Sequence, residues 1–366
     1  MDAATGTIIG AIVGAIALII GIFLKPVVES WWQKKTDKSK QPLVVQLLPN
    51  DFHNSTTARK PSNNNYTNSA VTISLPYPQN KYFTGRIEKL KTIHQKLQEQ
   101  KRVYITGSGG IGKSAIALEY AYEHKADYDV IWWINADEQN KVQADFKEFV
   151  LAKRLVGDYE TTENIILIMA KEWLNNNPRW LFIYDNANAD DFNKWLKQYL
   201  PQNVGDVIIT TRDQYFPIGE KIDLLKFEET EALEFLEKRV GRFDEKTKDL
   251  AYCLEYFPLA LEQAGAYIQV TQITYEKYIE EYEKKLEHDE NLTNYDKSIY
   301  ATLQISIDKI KQDGAKRMLN LCAYFKPDRI PKSLFVESKV FFKIFKDNTP
   351  IEDIVAELVK YSLLKS

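Results

Sequence analysis

The chain has 366 residues, with 48 lysines and arginines against 51 aspartates and glutamates, a formal net charge of −3. That length is more than one ordinary domain needs, and a near-balanced charge with no basic stripe argues against a nucleic-acid partner. Only two cysteines occur, Cys253 and Cys322, with no C-x-x-C pair and no histidine-rich tract, which excludes a disulfide scaffold and any sequence-evident zinc motif.

The first predicted element is a membrane helix. Residues 3–24 carry no charge, and about 22 helical residues span roughly 33 Å, against a hydrocarbon core of roughly 30 Å. No Lys or Arg precedes the run, whereas Lys25, Lys34, Lys35, Lys38 and Lys40 follow it. That asymmetry favours an anchor over a cleaved leader and predicts a single-pass protein whose C-terminal bulk is cytoplasmic. Gly6, Gly10 and Gly14 recur on one face, where small residues let helices approach in lipid. Residues 25–80 are polar and irregular, with Asn63-Asn64-Asn65 and scattered Ser, Thr and Pro, and read as a flexible tether.

A β-rich run, Val103-Tyr104-Ile105-Thr106, then leads into Gly107-Ser108-Gly109-Gly110-Ile111-Gly112-Lys113-Ser114, and a helix-forming stretch begins at Ala115. The segment fits G-x-x-x-x-G-K-[ST] at every fixed position and stands in the required strand–loop–helix context. Glycines at 107, 109, 110 and 112 let the backbone turn successive N–H groups inward around Ile111 as an anion nest. Lys113 is expected on the β/γ-phosphates, Ser114 on Mg²⁺, and the helix from Ala115 adds its positive end. Further buried strands are predicted at Val130–Asn135, Trp180–Tyr184 and Val207–Thr210, with a weaker one at Lys221–Leu224. Ligands of open α/β sheets sit at the carboxyl ends of strands. Asp185, ending the Trp180 run, is therefore the expected second Mg²⁺ acid, and Arg212, after the Val207 run, can reach a γ-phosphate. Lys113, Asp185 and Arg212 are the catalytic candidates. The alternation predicts an α/β fold, a parallel sheet covered by helices on both faces.

From Lys81 onward these pieces, in this order, resemble the NB-ARC type of signal-transduction ATPase, of the STAND class. The pieces are Phe83-Thr84-Gly85-Arg86, the phosphate loop, Trp132-Trp133-Ile134-Asn135-Ala136, Leu181-Phe182-Ile183-Tyr184-Asp185-Asn186, Ile208-Ile209-Thr210-Thr211-Arg212 and Pro258-Leu259-Ala260-Leu261. The resemblance implies ATP or ADP with Mg²⁺ as ligands, Phe83, Thr84, Gly85 and Arg86 beside the adenine, and Pro258 closing over the nucleotide. It implies a switch that is closed with ADP and assembles into a homo-oligomer with ATP, signalling to a protein partner that the sequence does not identify. Asn186 stands where the family often has a second acid, and an amide is a poor proton acceptor, which points to slow hydrolysis. Tyr256 stands where the family usually has Gly, two residues before Pro258. A catalytically weak scaffold that keeps its nucleotide, and a fragment of a larger repeat-containing sensor, are the alternative readings.

The remainder reads as helices. Apolar stripes at Leu233/Leu236/Val240, Leu261/Ala264/Gly265/Ile268, Ile299/Leu303/Ile307/Ile310 and Ile351/Ile354/Val355/Leu358 are core by spacing. The expected division is 1–24 membrane helix, 25–80 tether, 81–226 nucleotide-binding domain, 227–294 all-α domain and 295–366 a winged-helix-like domain that is incomplete in this sequence. The Pro327-Asp328-Arg329-Ile330-Pro331 break separates helices within the last part.

Overall fold

The computed structural model describes residues 71–156, 162–201, 204–286, 294–322, 335 and 350–364. The expected membrane helix and most of the tether lie outside them. Among the described residues no helix is long and apolar enough to cross a membrane.

Six strands form one sheet: β1 (Thr72–Ser74), β2 (Arg102–Thr106), β3 (Val130–Asn135), β4 (Trp180–Ala187), β5 (Asp206–Thr211) and β6 (Glu220–Asp223). Their order is β1-β3-β4-β5-β2-β6, and every pairing is parallel. A parallel sheet must be covered on both faces, so its strands read as continuous apolar runs, and side chains alternate between two cores. Ile131, Trp133, Leu181, Ile183 and Ile208 enter one core, while Val130, Trp132, Phe182, Tyr184 and Ile209 enter the other. The first face is covered by α1 (Ile87–Gln100), through Leu90, Ile93 and Leu97, and by α2 (Lys113–Glu123), through Ile116, Ala117 and Tyr120. The second is covered by α3 (Gln139–Ala152) and α4 (Glu163–Asn176), with Phe146, Phe149 and Phe182 meeting edge to face at 5.2–6.1 Å. β1 falls within the stretch read as tether. With only three residues it is too short to show an apolar period, and its pairing with Val130–Trp132 of β3 supplies what local propensity does not.

Beyond β6 the described chain is helical: α5 (Glu229–Val240), α6 (Thr247–Cys253), α7 (Pro258–Thr271), α8 (Tyr275–Leu286), α9 (Asn294–Asp308), α10 (Asp313–Cys322) and α11 (Ile351–Lys360). Helices α5 to α9 extend the first core through Leu236, Leu250, Leu261, Tyr267, Tyr278 and Ile305. A separate cluster of Ile310, Ala315, Met318, Leu321, Phe335, Ile354 and Leu358 joins α10 to α11. The Pro327–Pro331 break lies outside the described residues.

The apolar stripes of α7 and α11 are buried at Leu261, Ala264, Gly265, Ile268, Ile354 and Leu358. That of α9 is buried only at Ile310, just past the helix: Ile299, Leu303 and Ile307 are half-buried, and the fully buried face carries Ser298, Ala301, Thr302, Ile305 and Ser306. Burial of hydroxyls is tolerated where they are hydrogen-bonded, as Ser298 and Thr302 are, whereas Ser306 Oγ is buried without a partner among the described residues. Tyr282 donates to Ser298 at 3.0 Å, and Thr302 donates to the carbonyl of Ile299 at 2.8 Å. Cys253 and Cys322 are free thiols, half-buried.

Candidate nucleotide-binding site

The phosphate-loop strand β2 lies between β5 and β6, with β4 beyond β5, so the carboxyl ends of β4 and β5 converge beside the loop. Gly112, at φ +102, is the N-cap of α2, and no side chain caps that helix. The opening amides of a helix have no partners inside it, so this end presents unclaimed N–H groups and a positive dipole. Gly110, at φ +73, is needed for a second reason. A Cβ there would stand 2.7 Å from Cδ2 of Leu259, the second residue of α7.

Lys113 curls back over the loop, donating to the carbonyls of Gly107 at 2.7 Å and Ser108 at 2.9 Å. Burial depresses its pKa below the ordinary lysine value. The neighbouring positive charge of Arg212 adds to that depression, and Asp185 opposes it. Ser114 donates to Asp185 Oδ1 at 2.7 Å, and Thr210 donates to the same oxygen at 2.5 Å. Arg212, one residue beyond β5, is exposed. Lys113, Ser114, Asp185 and Arg212, distant in sequence, are therefore gathered at one end of the sheet.

A β-bulge aims Asp185. β4 spends three steps between its Tyr184–Ile209 and Ala187–Thr211 pairs where β5 spends two. The extra residue kinks the strand, a device common beside functional sites. Asn186 sits at φ +61, a region Asn tolerates better than most residues. Its N–H donates to Thr210 Oγ1 at 2.8 Å. Thr210 thus bridges both residues, a role the sequence reading missed. The available signal was a polar pair, Thr210-Thr211, closing an apolar strand, since a buried hydroxyl must find a partner. Below it, Thr106 donates to the carbonyl of Asp213 at 2.6 Å, and Asp213 accepts from the N–H of Ala189 at 2.7 Å.

The strap from Tyr82 to Arg86 is fastened along α5. Arg239 stacks 4.6 Å above the Tyr82 ring, Lys238 donates to the Phe83 carbonyl at 2.7 Å, and Glu231 accepts from the Arg86 N–H at 2.6 Å. Gly85 packs directly on the Glu231 carboxylate, and the Thr84 hydroxyl bonds its own strap at Tyr82. The Arg86 guanidinium is buried, donating to the Leu225 carbonyl at 2.6 Å and lying over Phe227. Burial pulls its pKa down, against the pull of Glu231 and Glu228. Its side chain secures the link into α5, while its N–H is taken by Glu231 and its carbonyl accepts from the Leu90 N–H at 2.9 Å. Pro258 opens α7, where its missing N–H costs nothing. The residue two positions earlier, Tyr256, has φ +56, and Glu255 has φ +51. The backbone there keeps a conformation that glycine favours although tyrosine occupies it.

Residues 84–246 match the NB-ARC domain. The NB-ARC match begins within the Phe83–Arg86 strap and ends just before α6. The chain is also 29% identical over 255 residues to a nucleotide-binding leucine-rich repeat (NLR)-like protein of Hyaloscypha variabilis, an alignment covering 61% of this chain and 26% of that protein. The chain thus spans about a quarter of that relative's length. Among solved structures it is similar to a Signal Transduction ATPase with Numerous Domains (STAND) protein with a tetratricopeptide repeat sensor from Pyrococcus horikoshii. There the TM-score is 0.51 at 17% identity, over 80% of this chain and 41% of that one. At that identity the likeness is one of fold: a phosphate-loop parallel sheet with helices on both faces.

The residues present fit a magnesium nucleotide. An uncapped helix start, a lysine held over glycine carbonyls, and a hydroxyl–carboxylate pair of hard oxygen donors make up the donor set that triphosphate and Mg²⁺ require.

Proposed function

We propose that the chain is an ATP/ADP-binding switch of the NB-ARC signalling type. The observation that carries this reading is the convergence of Ser114, Thr210 and Asp185 beside Lys113 at the uncapped start of α2. In it, Lys113 exchanges its carbonyl partners for β- and γ-phosphate oxygens and regains a fully stabilised charge. The N–H groups of Gly107 to Ala115 hold the polyphosphate, Arg212 touches the γ-phosphate and so distinguishes ATP from ADP, and the Phe83–Arg86 strap and Pro258 flank the adenine. Ser114 and Asp185 are the residues that would hold Mg²⁺, which would supply neutralisation of phosphate charge. Thr210 keeps Asp185 aimed at that point. Asn186, an amide in place of a second carboxylate, cannot accept a proton from water, so turnover is slow and the bound nucleotide sets the state.

In the same reading the last part of the chain behaves as a winged helix, the residue 3–24 helix anchors the protein in a membrane with the ATPase part on the cytoplasmic side, and ATP drives self-association. The test uses the full chain. The nucleotide carried by freshly purified protein is identified and its mass state measured, then again after exchange to ATP. Absence of any bound or bindable purine nucleotide would overturn the reading. A scaffold with permanently bound nucleotide is the second reading, favoured by Asn186. It predicts that single-turnover hydrolysis is absent in the natural chain and emerges in Asn186→Asp.

A further inference from the structure

Two loops leave the sheet at its carboxyl edge beside the phosphate loop. One follows β4 and carries the Asp185 bulge into the short helical turn Ala189–Asp191, and the other follows β5 and carries Arg212. The strand pairing between them ends at Ala187–Thr211. Beyond that pair a single residue takes over. Asp213 Oδ2 accepts from the Ala189 N–H at 2.7 Å and from the Thr211 hydroxyl at 3.2 Å. The Asp213 N–H donates back to Thr211 Oγ1 at 3.1 Å, a local turn of the kind that short polar side chains make. Its carbonyl accepts from the hydroxyl of Thr106, the residue that ends β2 and precedes Gly107, at 2.6 Å. Asp213 therefore ties the loops after β4 and β5 to each other and to the strand that feeds the phosphate loop.

Arg212 lies between two fixed points. Thr211 is fully buried at the end of β5, and Asp213 is held through its carboxylate, its N–H and its carbonyl, whereas Arg212 itself is exposed. A long exposed side chain is not placed by packing, so its reach is set by where its backbone is held. A second fastening lies further along the loop. Phe216 is buried, meeting Phe192 edge to face at 5.9 Å and Tyr104 of β2 at 6.1 Å. The loop is thus pinned on either side of the exposed Gln214 and Tyr215, by polar bonds at Asp213 and by aromatic packing at Phe216. Both fastenings join it to the segment that follows Asp185.

We propose that Asp213 is a positioning residue for recognition of the terminal phosphate: by holding Arg212 in fixed register with Asp185 and the end of β2, it sets how well the site tells a nucleoside triphosphate from a diphosphate. The proposal deepens the switch reading and rests on it for the contact between Arg212 and the γ-phosphate. Hydrogen bonds weaken steeply as distance and angle depart from their best values, so a guanidinium whose backbone drifts loses most of what it contributes. A diphosphate has no oxygen at that point and is indifferent to the drift. Asp213 thus acts on one nucleotide and not the other without touching either.

The test is calorimetric titration of the full chain with ATP and with ADP in the presence of Mg²⁺, thermal unfolding serving as a check on the fold. Arg212→Ala and Asp213→Ala should each lower the ratio of ATP to ADP affinity by about fivefold or more, with ADP affinity changed by less than about twofold, because the contact at stake joins charged groups. The double variant should lose no more than either alone, since one residue acts through the other. Asp213→Asn retains an acceptor oxygen for the Ala189 N–H and should keep the ratio of the natural chain. Ala189→Pro removes that donor alone, at the first position of a helical turn, where proline is accepted. It should reproduce the effect of Asp213→Ala even if the latter variant does not fold. Equal weakening of ATP and ADP, or an unchanged ratio in Asp213→Ala and Ala189→Pro while Arg212→Ala shifts it, overturns the proposal and leaves the switch reading standing. An unchanged ratio in Arg212→Ala removes the γ-phosphate contact and the proposal with it, whereas failure of the natural chain to bind either nucleotide overturns the switch reading itself.

Discussion

The sheet and the helices that follow it are held together by different chemistry. The middles of strands β2 to β5 are apolar, and Trp180, Phe182, Ile183, Val207 and Ile208 have no exposed surface. Their cohesion is packing plus the parallel backbone ladder. The seam joining α5, α7 and the turn after α11 adds a polar network to its apolar packing. Arg239 meets both Glu262 carboxylate oxygens at 3.1 Å and also donates to Ser362 at 3.3 Å. Ser362 donates to Glu262 at 3.0 Å, and Gln263 donates to the Ser362 carbonyl at 2.7 Å. Hydrogen-bonded ion pairs are directional and lose their worth when one partner shifts, whereas apolar packing degrades gradually. The sheet is built as a fixed platform and the seam as a joint with one preferred position.

The largest effect that bears on this contrast is expected at the sheet. Phe182→Ala should cost about 3–5 kcal/mol of unfolding free energy, measured by urea denaturation, because a closed aromatic cluster has no room to collapse into the void. A loss under about 1 kcal/mol would mean that this core is looser than its packing implies.

Next comes the site at the sheet's end. Lys113→Ala should weaken ATP and ADP binding by about 1.5–3 kcal/mol, the worth of hydrogen bonds to a charged group, without destabilising the fold. Calorimetric titration measures both. The same lysine sets a pH limit. Its pKa is lowered in the folded chain, so the cation that grips phosphate is present at low pH and is lost as pH rises through that lowered value. Nucleotide affinity should therefore decline at a pH below the ordinary lysine midpoint, and Lys113→Ala should abolish that step in the pH profile.

At the seam, Glu262→Gln should cost about 1–2 kcal/mol, less than a fully buried pair because Glu262 is partly solvated. Hydrogen exchange should quicken in α7 and leave β4 unchanged. Equal quickening in both would erase the distinction between platform and joint. The smallest effect is at the turn before α7. A left-handed residue other than glycine costs about 1–2 kcal/mol, while glycine's extra unfolded-state freedom returns about 0.5–1, so Tyr256→Gly should raise stability by no more than about 1 kcal/mol. Thermal unfolding reads it.

Much of the platform could be read directly from the chain. Buried parallel strands announce themselves as apolar runs, and the strand–loop–helix order located Lys113 and Ser114. Asp185 and Arg212 followed from their places at strand ends. The short edge strand β1 and the bridging role of Thr210 did not, because each depends on a partner remote in sequence. The α9 face was misjudged for the same reason: isoleucine spacing marked one side, but Tyr282 gave Ser298 a partner and let a polar face turn inward. Apolar periodicity shows what a segment can bury. It does not show which polar groups a neighbour will satisfy.

Leu259 claims the volume that a side chain at position 110 would fill. The glycine there is consequently demanded from outside the loop as well as from within it. The first turn of α7 acts as a ceiling: the loop backbone cannot rise without lifting that helix, and the helix cannot tilt down without flattening the loop. Any widening or narrowing of the turn is thereby geared to the tilt of α7 through the Leu259 side chain.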